Sequence, residues 1–149
     1  GISKIMRHLK KGRKLNRTAS HRKALFSNLA SSLVINKRII TTHPKAKELQ
    51  RYVERLVTYA KYNNLHGRRL IQKKIIGKLS KRIANELIHN IAPNYSSRNG
   101  GYTRVIKLEN RKNDDAIKAL IEFVDMKDLS TDDEKSKANT EKVKTDKDK

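Results

Sequence analysis

Apolar positions along the chain follow two spacings, one helical and one extended. Leu25, Leu29 and Leu33 recur at every fourth residue and form the stripe of a helix predicted from about His21 to Asn36, with Ser20 as its N-cap. The β-branched run Arg38-Ile39-Ile40-Thr41-Thr42 reads as a short strand. Pro44 suits the first turn of a second helix. In that helix Leu49, Val53, Leu56, Val57 and Ala60 share one face and the pattern stops near Tyr62, while Arg51, Arg55 and Lys61 lie mostly off it. A shorter helix is predicted from Leu65 to Gln72. Another is predicted from about Ile75 to Asn90, with Ile76, Leu79, Ile83 and Leu87 inward and Ala92-Pro93 closing it. The spacing then changes to alternation. Strands are predicted over Tyr102 to Glu109 and Ala116 to Asp125, with Ile117, Ala119, Ile121 and Phe123 on one face and Asn110 to Asp115 as the hairpin loop. The order α-β-α-α-α-β-β predicts an α+β fold, a two-layer α/β arrangement of helices packed on a small mixed β-sheet. No internal repeat is visible.

Composition narrows this picture. A chain of 149 residues suffices for one modest domain. With five Tyr, two Phe and no Trp, its core must be built mostly from Ile, Leu, Val and Ala. The absence of cysteine removes disulfides, Cys-based zinc sites and a thiol nucleophile. No run approaches the roughly 20 apolar residues of a membrane span, and no signal-peptide core is present, so no membrane insertion is expected.

Charge changes the picture most. Thirty-six Lys and Arg face 15 Asp and Glu, a formal net charge of +21. Residues 1–47 carry 13 of the basic side chains and no acid; Glu48 is the first carboxylate. Residues 48–125 hold 16 basic and 8 acidic side chains, and residues 126–149 hold 7 of each. Such an excess repels itself until a polyanion neutralises it. Nucleic acid is the commonest such partner, and an anionic membrane surface is the other. The division expected is a basic extended arm over residues 1–19, a globular domain over 20–127 and a neutral tail over 128–149. From Ser130 onward Val143 is the tail's only large apolar residue, too little to offset the entropy of ordering.

Enzymatic chemistry finds no support. His8, His21, His43, His66 and His89 lack the spacing of a metal site, and Gly100-Gly101 lacks that of a nucleotide-phosphate fingerprint. No nucleophile elbow occurs. The expectation is a non-enzyme without cofactor, metal or small-molecule substrate. Two segments are the candidates for RNA contact. In the arm these are Arg7, His8, Lys10, Lys11, Arg13, Lys14, Asn16 and Arg17, continuing to Ser20, His21 and Arg22. Arg forks bond phosphate bidentately, Lys supplies point charges, and a following helix N-terminus adds N–H donors. The second segment is Arg98, Gly100, Gly101, Tyr102, Thr103 and Arg104, where paired glycines let main-chain N–H groups approach an anion and Tyr102 is either a base-stacking ring or part of the core. Arg68 and Arg69 form a third basic point. Phosphate contacts of this kind fix position without reading sequence.

Several of these residues also resemble a known family. Met6-Arg7-His8, Gly12-Arg13, Leu15-Asn16-Arg17 and Ser20-His21-Arg22 look like the opening of the bacterial large-subunit ribosomal protein seventeen family. Thr41-Thr42 with Pro44-Lys45-Ala46-Lys47-Glu48-Leu49, then Asn64, Arg68-Arg69, Arg98 with Gly100-Gly101-Tyr102-Thr103-Arg104, and Ile121-Glu122-Phe123-Val124-Asp125 continue the likeness in order from about Met6 to Asp125. Gly1 to Ile5, the stretch Lys73 to Ser80 and the tail depart from the pattern. The resemblance implies a helical layer on a small sheet and no catalytic activity or cofactor. It implies binding to large-subunit rRNA on the solvent side near the polypeptide exit region, with other large-subunit proteins as neighbours; the ribosome expected is a cytoplasmic one, with an organellar ribosome as the alternative. It also implies that the arm, Arg68, Arg69 and the Gly-Gly-Tyr-Thr-Arg loop face RNA. A nucleoid DNA-binding protein and a basic nuclease compete on charge alone, but the sequence offers neither a recognition-helix motif nor a metal or His/carboxylate constellation.

Overall fold

The computed structural model describes residues 12–125. The expected tail and the first part of the expected arm, with Arg7, His8, Lys10 and Lys11, lie outside the described residues. Helix α1 spans Ala19–Asn36. Its cap is Thr18, not Ser20: Thr18 has extended backbone, and its hydroxyl accepts from the His21 amide at 3.4 Å. Ser20 is already inside the first turn, where its side chain cannot reach back to an unpaired amide. Leu33 is fully buried beside Ala30 and Val34, whereas Leu25 and Leu29 are half-buried. The helix ends at Lys37, held in the left-handed region at φ 63°. The Lys37 ammonium donates to the Val34 carbonyl at 2.9 Å and pairs with Glu86, tying the turn to the neighbouring segment that ends at Glu86.

Strand β1 is Arg38–Thr42, and helix α2 is His43–Lys61 with Pro44 in its first turn. Every apolar position expected to face inward on α2 is buried, and Ala46 joins them. Helix α3, Leu65–Lys74, starts from Asn64, whose side-chain oxygen accepts from the Gly67 amide at 2.7 Å. A Cβ at Gly67 would sit 2.3 Å from the Tyr59 carbonyl oxygen, so α2 and α3 cross at a distance only glycine permits.

The helix expected from Ile75 to Asn90 is corrected by the structure. Helix α4 covers only Ser80–Glu86. Before it, the chain turns through Gly77 at φ 102°, and the buried Ser27 hydroxyl accepts from the Ile76 amide at 2.8 Å. Ile75 is therefore the buried residue, while Ile76 and Leu79, expected inward, are 50% and 46% exposed. Ile83 and Leu87 do face inward. Beyond α4 a π-turn over Leu87–Ile91 and a 3₁₀ turn over Ala92–Tyr95 replace the regular helix, keeping Leu87, Ile88, Ile91, Ala92 and Tyr95 in the core.

Strands β2, Thr103–Asn110, and β3, Ile117–Phe123, form a hairpin, and the sheet order is β1-β3-β2. The sheet is not mixed: both pairings are antiparallel. β1 and β2 run in the same direction, but β3 lies between them and so no parallel pair forms. Ala119, Ile121 and Phe123 face the helices, and α2 lies at the centre of the layer above. On the opposite face Ile40, Leu120 and Ile106 stand in one cross-strand row, beside a second row of Arg38, Glu122 and Arg104. The observed α+β order matches the expected one. Among the described residues no helix is long and apolar enough to cross a membrane.

Candidate nucleic-acid interface

The described part of the arm folds back against the start of α2. Gly12 takes φ 94°, and Leu15 and Asn16 take φ 55° and 51° in succession. Consecutive left-handed residues make a tight reversal, closed by the Arg17 amide donating to the Lys14 carbonyl at 3.2 Å. Asn tolerates that region; Leu does so only at a cost. The reversal leaves Lys14 and Asn16 exposed and tucks Arg17 partly inward, where its Nε is buried with no hydrogen-bond partner among the described residues. Arg22 donates to the Arg17 carbonyl at 3.3 Å and braces the turn against α1. Arg13 reaches to 3.9 Å from Glu48, which also lies 4.0 Å from Arg51. Ser20 and His21 are exposed on the first turn of α1.

The glycine loop is arranged differently from the expectation. Gly100 and Gly101 are exposed, and Gly101 has φ 63°. Tyr102 and Thr103, however, turn their side chains into the protein and are each 3% exposed. The Tyr102 ring packs 5.3 Å from that of Tyr95, lies under the Lys61 ammonium, and sends its hydroxyl to the Arg98 carbonyl at 3.3 Å. The Thr103 hydroxyl reaches Glu54 at 3.4 Å, and its carbonyl accepts from Gln50 at 2.9 Å. A side chain so enclosed presents no face for a base. Their part in the loop is to anchor it, and the outward cations are Arg98, bonded to Asp125 at 2.8 Å, and Arg104, paired with Glu122 on the outer sheet face.

The arm and the Arg98 end of the loop lie toward opposite ends of α2. Glu48 holds the arm, while Lys61 donates to the Arg98 carbonyl at 2.6 Å beside the loop. Thirteen helical residues separate those contacts, a rise of about 20 Å. Arg68, half-buried, and Arg69, exposed, sit on the first turns of α3, which follows the loop-proximal end of α2. Among the described residues the contacts on α2 thus run from Arg13 at Glu48, through Thr103 at Gln50 and Glu54, to the Arg98 carbonyl at Lys61.

Sequence reasoning missed a cluster at the arm pole. His43 loses water around its ring and feels Lys107, Lys47 and Arg13, and together these hold its pKa below the ordinary 6.5. From His43 the positions Lys47, Arg51 and Arg55 follow every fourth residue, a cationic stripe along α2 beside its apolar face. The stripe was readable from spacing, but Lys107 joins only through the antiparallel return of β2. Among the described residues no three metal-ligating side chains cluster.

A small α+β frame that carries clustered cations defines a basic protein suited to a polyanion. Residues 25–124 match the family described as ribosomal protein L17. The chain is 52% identical over 120 residues to large ribosomal subunit protein bL17 of Allorhizobium ampelinum, a match covering 80% of this chain and 83% of that relative. The chain belongs to the ribosomal protein L17 family, as its resemblance indicated. It is a structural constituent of the cytoplasmic ribosome that serves translation, and not an enzyme.

Proposed function

We propose that this chain is a structural constituent of the large ribosomal subunit that binds and stabilises large-subunit rRNA from its two basic poles, with neighbouring large-subunit proteins against its remaining surface. The arm of residues 1–19 is the principal grip: Arg7, His8, Lys10, Lys11, Arg13, Lys14, Asn16 and Arg17, with Ser20, His21 and Arg22 at the adjoining helix start. The second grip is the exposed Gly100-Gly101 backbone with Arg98, Arg104, Arg68 and Arg69. The globular domain of residues 20–127 sets the distance between the grips.

The observation that carries this reading is the gathering of Arg13, Lys47 and Lys107 about His43, at the end of a segment that has no acid before Glu48. Placing phosphates there releases condensed counterions and relieves the mutual repulsion of the cations. Changing Arg7, Arg13 and Arg17 together to Ala is expected to weaken binding to a large-subunit rRNA fragment. The slope of log affinity against log salt should shrink by up to about three phosphate equivalents, each about 0.9 or less. An unchanged slope discards the arm as the grip. Sedimentation of a growing-cell lysate gives the coarser test, since a chain that remains in the light soluble fractions is no ribosomal component.

A further inference from the structure

An open groove of about 570 Å³ lies between α1, α2 and the last turn of α3. The rings of Phe26 and Tyr52 line it, stacked with centroids 5.8 Å apart and planes 25° from parallel. Arg51, Arg55 and Lys74 also line it, and Glu48 is the one carboxylate among the described residues of the lining. Glu48 is already shared by Arg13 and Arg51, whereas Arg55 and Lys74 have no carboxylate within salt-bridge distance among the described residues. The Tyr52 hydroxyl donates to the Lys74 carbonyl at 2.7 Å, which pins the ring to the end of α3. Burial pushes the Tyr52 pKa up to about 12, so this donor stays neutral across the working pH range.

We infer that this groove is a further RNA site, taking one unpaired rRNA nucleotide with its base against the Phe26–Tyr52 pair and its phosphates on Arg51, Arg55 and Lys74. The inference rests on the rRNA-binding reading above and adds to it a place where a base, not only the backbone, is held. The volume lies within the range of sites that enclose small ligands. Every base has a π face, so an aromatic surface beside phosphate-spaced cations suits a nucleotide without demanding a particular sequence. An acidic peptide would use the cations but leave the aromatic pair without purpose. The stripe Lys47, Arg51 and Arg55 leads from the arm cluster to the groove, and Gly12 of the arm borders it. A strand of RNA bound at the arm is thereby carried into the groove along a run of cations that the Glu48 carboxylate offsets only in part.

The test uses the full chain and a large-subunit rRNA fragment. Arg55→Ala with Lys74→Ala, both on exposed side chains, should lower the salt slope by about two phosphate equivalents. Tyr52→Leu should weaken binding about tenfold with the slope unchanged, provided the melting temperature of the free variant matches the wild type. Zero-length ultraviolet crosslinks from the wild-type complex should map to Tyr52 or Phe26, a readout that needs no variant to fold. If the double variant binds like wild type and no crosslink falls in the groove, while the arm variants still bind weakly, the groove is not an RNA site and the rRNA reading stands. If arm and groove variants alike bind as wild type, neither is the grip; a wild-type chain that does not bind the fragment at all is the result that overturns the rRNA reading itself. If the groove variants lose a neighbouring ribosomal protein and keep naked rRNA, the groove belongs to a peptide and the inference is overturned.

Discussion

His43 is the side chain on which charge crowding acts most directly. Its native pKa lies below 6.5 because its ring is partly dehydrated and Lys107, Lys47 and Arg13 stand near. As pH falls, the unfolded chain therefore takes up this proton first. Stability falls with pH through the window between the lowered native value and 6.5, and is unaffected by this group above it. A phosphate placed among the same cations reverses the balance and favours the imidazolium. In a proton NMR titration the His43 ring should titrate below 6.5 in the free protein and move upward when the rRNA fragment binds. A value that does not move would exclude phosphate from this cluster.

At the scale of elements, legibility followed how local the deciding contact is. Helix α2 was readable in full, because 19 residues of one amphipathic pattern set both its ends and its buried face. The run from Ile75 was misread because Ile76, Leu79, Ile83 and Leu87 fit a helical spacing while Gly77 and the contact from Ser27, 49 residues away, hold the first of them outside. Two hydroxyls near the start of α1 competed for one cap, and backbone conformation chose Thr18. Gly67 carried no signal in sequence, yet it sets the crossing of α2 and α3. Gly67→Ala should cost about 2–3 kcal/mol in urea unfolding, since one backbone must shift to clear the added methyl; a loss under about 0.5 kcal/mol would mean that the helices separate freely.

For the whole molecule, the partition of charge was legible and its three-dimensional placement only partly so. The acid-free opening pointed to the arm, but the glycine loop was read as one surface when Tyr102 and Thr103 are its buried anchor. Alternation could not reveal this, because Tyr102 precedes β2 and packs on Tyr95 from the 3₁₀ turn. The net charge of +21 makes a prediction at this scale. Without RNA, cation repulsion outweighs the few surface ion pairs, most of them exposed and weak. Raising salt from about 20 to about 300 mM should therefore raise the melting temperature by a few degrees in circular dichroism, as screening removes about 1 kcal/mol of repulsion. A melting temperature that falls would show that attractive pairs dominate.

That a single uninterrupted helix joins the arm to the glycine loop has a mechanical consequence. On the proposed reading, a rod with a grip at each tip behaves like a gauge block: it cannot shorten or swivel, so what is bound at one tip is held at a set gap from what is bound at the other. One residue inserted into α2 would turn the far grip by about 100° and push it about 1.5 Å along the axis. Tolerance to changes in length should accordingly be found outside this rod, at the solvent-facing bend between β2 and β3, where added residues leave the gap between the grips untouched.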